Sequence, residues 1–116
     1  MGTLRTKETA EKLKQVQIEE AGRNFCILCE REPIKDFTYW KIMKNLFPYD
    51  KIAKVHDMIV LKRHAPDAEM TKEEKDEYEK IKNEYIHKTY EFIIEPTYLT
   101  KSLPAHAHFH MLIAKD

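Results

Sequence analysis

Glycine is nearly missing from this chain: two residues, Gly2 and Gly22, in 116. Neither a glycine-rich dinucleotide turn nor a phosphate-cradling P-loop can be built from that supply, which excludes those nucleotide-binding classes. Serine is scarcer still. Ser102 stands alone and has no Gly-x-Ser-x-Gly setting, which leaves histidine and cysteine as the reactive inventory. Long apolar runs are absent as well. The longest, Phe25 to Cys29, has five residues, against the roughly 20 of a membrane-spanning helix, so no membrane span is expected. No charge excess exists either: 20 basic residues balance 20 acidic ones, which argues against bulk binding to nucleic acid or anionic lipid. The first residues, Met1-Gly-Thr-Leu-Arg-Thr-Lys-Glu, lack the apolar segment of a signal peptide. A reducing cytoplasm is therefore the expected compartment, where two cysteines are not expected to form a structural disulfide.

A chain of this length, with 42% apolar and 34% charged residues, is expected to form one core, with room for a helical extension. Thr6 to about Arg23 is polar and helix-forming. Ala10, Leu13, Val16 and Ala21 make a thin apolar stripe along it, and Gly22 is a natural stop. From Phe25 to Met70 the texture changes to short apolar runs rich in aromatic and β-branched residues, interrupted by Pro33 and Pro48, which read as at least two strands. Thr71-Lys-Glu-Glu74 is a capping-box pattern, and Tyr78, Ile81, Tyr85 and Thr89 then recur at helical spacing, predicting a helix of about five turns. Phe92 to Ile94 reads as a strand stopped by Pro96, and Ala105 to Ile113 as another after Pro104. The order is strands, helix, strands: an α+β domain with a helix packed on an antiparallel sheet, spanning 25–116, preceded by an N-terminal helical extension over 1–24.

Three clusters of residues carry chemistry. The strongest is Ala105-His106-Ala-His108-Phe-His110-Met-Leu-Ile113. On a strand, side chains alternate, so the three histidines share one face while Ala107, Phe109 and Met111 line the other. The imidazole row is expected to face a pocket or solvent. A rise of about 3.3 Å per residue sets the outer two Cα atoms about 13 Å apart, too far to converge easily on one tetrahedral ion, so at least one histidine needs a separate role. The second is Cys26-Ile-Leu-Cys29: half of a tetrahedral zinc site whose other half must come from distant residues, histidines above all, or else two buried free thiols. The third is His56-Asp-Met-Ile-Val-Leu-Lys-Arg-His64, an apolar strand bracketed by histidines at an even spacing. On a regular strand both lie on one face, as members of the histidine row or as polar edge residues. Lys62 and Arg63 read as solvated charges or as holders of a phosphate. His87, in the charged helix, reads as surface.

These motifs together resemble the histidine triad (HIT) superfamily of nucleotide hydrolases and transferases. Its signature, His-x-His-x-His followed by two apolar residues, stands here as His106 to Leu112. The Cys-x-x-Cys, the segment Asn45-Leu-Phe-Pro-Tyr49 and the strand from His56 to His64 also match, and the likeness runs from about Phe25 to the end. The resemblance implies a HIT-like antiparallel sheet with a packed helix. It implies a structural zinc on Cys26, Cys29, His64 and His106, with a nucleotide or nucleotide conjugate as ligand. It assigns His108 as the nucleophile on the α-phosphorus, giving a nucleotidyl-histidine intermediate, with His110 and His56 steadying phosphate charge. Asn45 would contact the ribose and Ser102 a phosphate. A homodimer is common in the family, and the stripe from Ala10 to Ala21 could add to its interface.

The sequence departs from the family before the triad, where Glu95 to Ala105 is short and holds no glycine. That departure, with the added N-terminal helix, motivates an alternative: a non-catalytic, zinc-stabilised nucleotide-binding or interaction module. A metallohydrolase using the triad on a catalytic zinc is a third reading, and it leaves Cys26 and Cys29 without a purpose.

Overall fold

Period-two alternation gives the strands two chemically different faces, and register decides which residues share each. The computed structural model of the protein describes residues 4–20, 26–100 and 105–116. Its strands are β1 (Lys35–Asp36), β2 (Trp40–Lys44), β3 (Ala53–Leu61), β4 (Phe92–Ile94) and β5 (His108–Ala114). They form one antiparallel sheet in the order β1-β2-β3-β5-β4. The helices are α1 (Lys7–Glu20), α2 (Ile27–Glu30) and α3 (Lys72–Ile81); α3 continues through a π turn (Lys82–Ile86) into a last turn (His87–Thr89). The α+β architecture expected from the sequence is therefore present. Among the described residues no helix is long and apolar enough to cross a membrane.

One face of the sheet is apolar and lies under α3. Trp40, Ile42, Ile59, Leu61, Phe109 and Met111 are buried there against Ile81 and Ile86. Trp40, Tyr78 and Phe109 form a tilted aromatic triangle, with ring centroids 4.9 to 6.1 Å apart. Full burial of each such side chain contributes on the order of 1.5–3 kcal/mol, so this layer dominates the stability.

The capping box exists as read. Thr71 Oγ1 accepts from the Glu74 amide at 3.2 Å, and the Glu74 carboxylate accepts from the Thr71 amide at 2.8 Å. The helical stripe, however, changes register. Ile81 and Tyr85 face the core as the spacing predicts, but Thr89 is exposed and Ile86 is buried instead. The π turn is the reason, because its wider turn displaces the residues that follow around the helix axis.

The opposite face carries the histidines. Val60 pairs with His108, Met58 with His110, and His56 with Leu112, so these residues share a face with Lys41 and Met43 of β2. Leu28 of α2 covers it, packing with Met43, Met58 and Val60. The imidazole row is thus enclosed rather than open to solvent: His106, His108 and His110 are 1, 2 and 2% exposed. The row differs from expectation in one more respect. The strand begins at His108, while His106 stands just before it, where bonds between Ala107 and both Leu61 and Ala65 hold the chain against the end of β3.

The extension α1 carries Ala10, Leu13 and Val16 half-buried, and Ala21 lies outside the described residues, as does the boundary between 24 and 25. Its N-terminal end is anchored to the turn before β3. Asp50 accepts from the Thr6 amide at 2.7 Å, from Thr6 Oγ1 at 3.0 Å and from Thr9 Oγ1, and the Leu4 carbonyl accepts from the Lys51 amide at 3.1 Å.

Candidate functional site

The cysteines sit on a single helical turn, not on a strand. Cys26 precedes α2 and Cys29 lies within it, with the Cys29 amide donating to the Cys26 carbonyl at 3.0 Å. A spacing of three on such a turn brings both thiols to one side. Lys41 steadies the turn, since Nζ donates to the carbonyls of Cys29 and Arg31, each at 3.4 Å. His64 lies three residues past the end of β3, so the even spacing from His56 along a regular strand does not apply to it. The bond from the Ala107 amide to the Ala65 carbonyl at 2.7 Å then brings His64 beside His106. Their rings meet edge to face at 4.9 Å.

Cys26, Cys29, His64 and His106 thereby form one cluster whose ligand atoms all lie within 4.8 Å of one another, and it could hold a metal ion. His106 Nδ1 is 3.3 Å from Cys26 Sγ and 3.5 Å from Cys29 Sγ, and His64 Nδ1 is 3.4 Å from Cys29 Sγ. A tetrahedral ion with bonds of about 2.3 Å to sulfur and 2.0–2.1 Å to nitrogen requires sulfur–nitrogen edges of about 3.5 Å, which these separations match. The tautomer fits too. His106 Nε2 donates to the Leu61 carbonyl at 2.5 Å, which leaves the lone pair on Nδ1, towards the sulfurs. Burial lowers the pKa of His106 and favours that neutral ring, against the opposing pull of the Leu61 carbonyl.

His56, His108 and His110 form a second, separate group. His108 Nδ1 donates to the His106 carbonyl at 2.8 Å, placing its own lone pair on Nε2. His56 Nδ1 accepts from the Tyr49 amide at 2.9 Å, so the proton of neutral His56 is on Nε2, which donates to His110 Nδ1 at 2.7 Å. His110 in turn presents Nε2 to the Tyr49 hydroxyl at 3.4 Å. Burial first, then electrostatic coupling to Arg5 and His108, depress the pKa of His56 to about 3, so the neutral tautomer of His56 holds across the neutral range. Asn45 is buried beside this group. Its Oδ1 accepts from the Phe47 amide at 2.7 Å, and its Nδ2 approaches His56 Nε2 at 3.2 Å, a close packing contact on this tautomer.

Of the residues picked from the sequence, Cys26, Cys29, His64 and His106 come together in one group and His56, His108 and His110, with Asn45, in another. Ser102 lies outside the described residues. His87 is exposed, as read. Two further participants carry weaker signals, or none, in the sequence. Tyr49 stacks on His110 at 4.9 Å and fixes the tautomer of His56 through its amide; its place in the Asn45 to Tyr49 motif was the available signal. Arg5, whose Cζ lies 4.8 Å from the centre of the Tyr49 ring, had no local signal. No family model, curated protein or solved structure matches the chain.

Proposed function

We propose that the protein is a zinc-stabilised hydrolase or transferase of the histidine triad type, acting on a phosphoanhydride or phosphoramidate of a nucleotide. The observation that carries this reading is the division of labour within His106–His110: His106 turns to the cysteines while its carbonyl accepts the Nδ1 proton of His108 and so fixes the tautomer that a nucleophilic Nε2 requires. A catalytic metal on the triad is disfavoured by the same division, since only His106 of the three joins the cysteines.

In the proposed reaction, the Nε2 lone pair of His108 attacks the α-phosphorus and the bond to the leaving group breaks, with its electrons departing on that oxygen or nitrogen. The leaving group takes up a proton from solvent; water or another acceptor then attacks the same phosphorus and releases its own proton to solvent, while the phosphorus–nitrogen bond breaks with its electron pair returning to Nε2. His110, polarised by His56 Nε2–H, donates from Nε2 to phosphoryl oxygens, which stabilises the negative charge that grows there. Positioning within an enclosed site supplies most of the remaining rate enhancement. The Cys26, Cys29, His64 and His106 group would bind zinc as a structural ion that ties α2 to the strand ends. A homodimer is proposed, with the half-buried stripe Ala10, Leu13 and Val16 of α1 adding to its interface.

The test is intact-mass spectrometry, run native for metal and acid-quenched after incubation with an adenosine phosphoramidate or a diadenosine polyphosphate. One zinc per chain and a transient nucleotidyl adduct absent from His108→Ala support the reading. Zinc without adduct or turnover supports a second reading, a nucleotide-binding module. The near-complete burial of His108 favours that second reading.

A further inference from the structure

The histidine group is bordered by a residue from far away in the chain. Arg5 belongs to the short arm before α1, which Asp50 and the Lys51 amide anchor through Thr6, Thr9 and Leu4. That anchoring sets Arg5 on the turn from Phe47 to Asp50, where its Nε donates to the Phe47 carbonyl at 2.7 Å. Its guanidinium lies over one face of the Tyr49 ring, 4.8 Å from the centroid. Tyr49 itself stacks on His110 and packs against His56 at 4.5 Å. A planar cation is therefore held one ring away from His56 and His110, and His110 in turn meets His108 at 5.2 Å.

Arg5 is half-buried, and loss of hydration works against its charge, while Tyr49 and Asp50 offset part of that cost. The Asp50 carboxylate already accepts the bonds from Thr6 and Thr9. On the other side the charge of Arg5 disfavours protonation of His56. The guanidinium of Arg5 thus stands near a neutral His56, with the Asp50 carboxylate engaged by Thr6 and Thr9. Arginine also supplies a rigid fork of N–H donors matched to phosphate oxygens, which a lysine does not.

We propose that Arg5 is a phosphate-binding residue of this site, contacting phosphoryl oxygens at the His56–His110 end and favouring nucleotides whose leaving group is itself a phosphate over those whose leaving group is an amine. The preference for leaving group rests on the function proposed above; the binding of phosphate by Arg5 does not.

The test titrates the whole chain with inorganic pyrophosphate and follows binding by calorimetry and by the Arg5 Nε–H resonance. Wild type is expected to bind, with that resonance moving on saturation. Arg5→Gln is expected to lose about 10- to 100-fold in affinity, the effect of one charge-assisted contact, with Arg5→Lys in between. An unmoved Arg5 resonance, no binding by wild type, or equal binding by Arg5→Gln overturns the proposal, and the resonance is read on wild type even if the variant does not fold. In turnover, Arg5→Gln is expected to lower kcat/KM for a diadenosine polyphosphate by the same factor and to leave an adenosine phosphoramidate much less affected. An equal loss on both substrates removes the leaving-group preference. A wild type that forms no adduct with either substrate refutes the catalytic reading instead, and the pyrophosphate result still decides Arg5.

Discussion

The carbonyl of His106 accepts the Nδ1 proton of His108 at 2.8 Å, while the ring of His106 turns its own Nδ1 towards Cys26 and Cys29. One residue thus serves the candidate metal centre with its side chain and the candidate nucleophile with its backbone. The two groups of histidines are chemically separate but mechanically joined. Disturbing the cysteines should therefore reach the nucleophile without touching it.

Loss of metal is the direct test of that link. Cys26→Ala, or treatment with a chelator, is expected to abolish stoichiometric zinc and lower the Tm substantially, since structural zinc in small domains can contribute on the order of 10 kcal/mol. Turnover should fall as well, because His106 no longer fixes the tautomer of His108. Elemental analysis beside a calorimetric melt checks this, and an unchanged melt contradicts a structural metal.

His108→Ala is expected to abolish the nucleotidyl adduct and to reduce turnover by at least about 1,000-fold, while zinc content stays at that of wild type. Full activity in this variant excludes the proposed mechanism. Zinc content and the circular dichroism spectrum report whether the fold survives.

His56 should remain neutral far below the usual histidine range. Its folded pKa is about 3, whereas an unfolded histidine titrates near 6.5. Between those values the unfolded chain binds more protons, so the contribution of His56 to stability decreases as pH falls through that window, by at most ~1.4 kcal/mol per pH unit. An imidazole NMR titration measures this directly. Protonation of His56 near pH 6.5 in the folded protein contradicts the buried, doubly bonded geometry.

Asp50→Ala is expected to release the N-terminal arm. Hydrogen exchange at the Thr6 and Lys51 amides should accelerate, because Asp50 accepts directly from Thr6 and the arm holds the Leu4 carbonyl against Lys51. The amide of Thr6 and the hydroxyl of Thr9 hold the carboxyl at about 2. A depressed carboxylate contributes above its unfolded pKa and loses that contribution as pH falls through the folded one. The arm should accordingly stay docked at neutral pH and loosen only towards pH 2.

Glu74→Ala is expected to cost about 1–3 kcal/mol in urea unfolding, through loss of the capping box and of the two bonds from Arg63. Arg63 is what chiefly holds this carboxyl below the usual carboxylate range. The contribution is thus present at neutral pH and disappears as the carboxylate protonates in acid.

Local physics made much of this protein legible from its residues. The Thr71 to Glu74 box and the spacing after it determined α3, since caps and helical periodicity depend on neighbours three and four residues away. Phe92 to Ile94 and the alternation around His108 likewise determined strands. The same alternation placed His108 and His110 on one face and Phe109 and Met111 on the other, a consequence of the pleat alone. Where sequence neighbours do not decide, the fold departs from local periodicity. The π turn at Lys82–Ile86 moved the buried position from Thr89 to Ile86, and the short run after Cys26 forms a helical turn whose Leu28 packs on Met43, Met58 and Val60 of the sheet.

Tertiary structure alone decided the sites. The register of β3 against β5 set His56 next to His110, and the bonds of Ala107 to Leu61 and Ala65 carried His106 and His64 to the cysteines. Antiparallel pairing joins residues whose separation along the chain carries no periodic signal, so spacing could name the ligands but not assemble them. Arg5 is the extreme case. Its place over Tyr49 depends on an arm folding back across the chain, where Thr6 and Thr9 meet the distant Asp50, and the spacing of these residues carries no periodic signal of that contact.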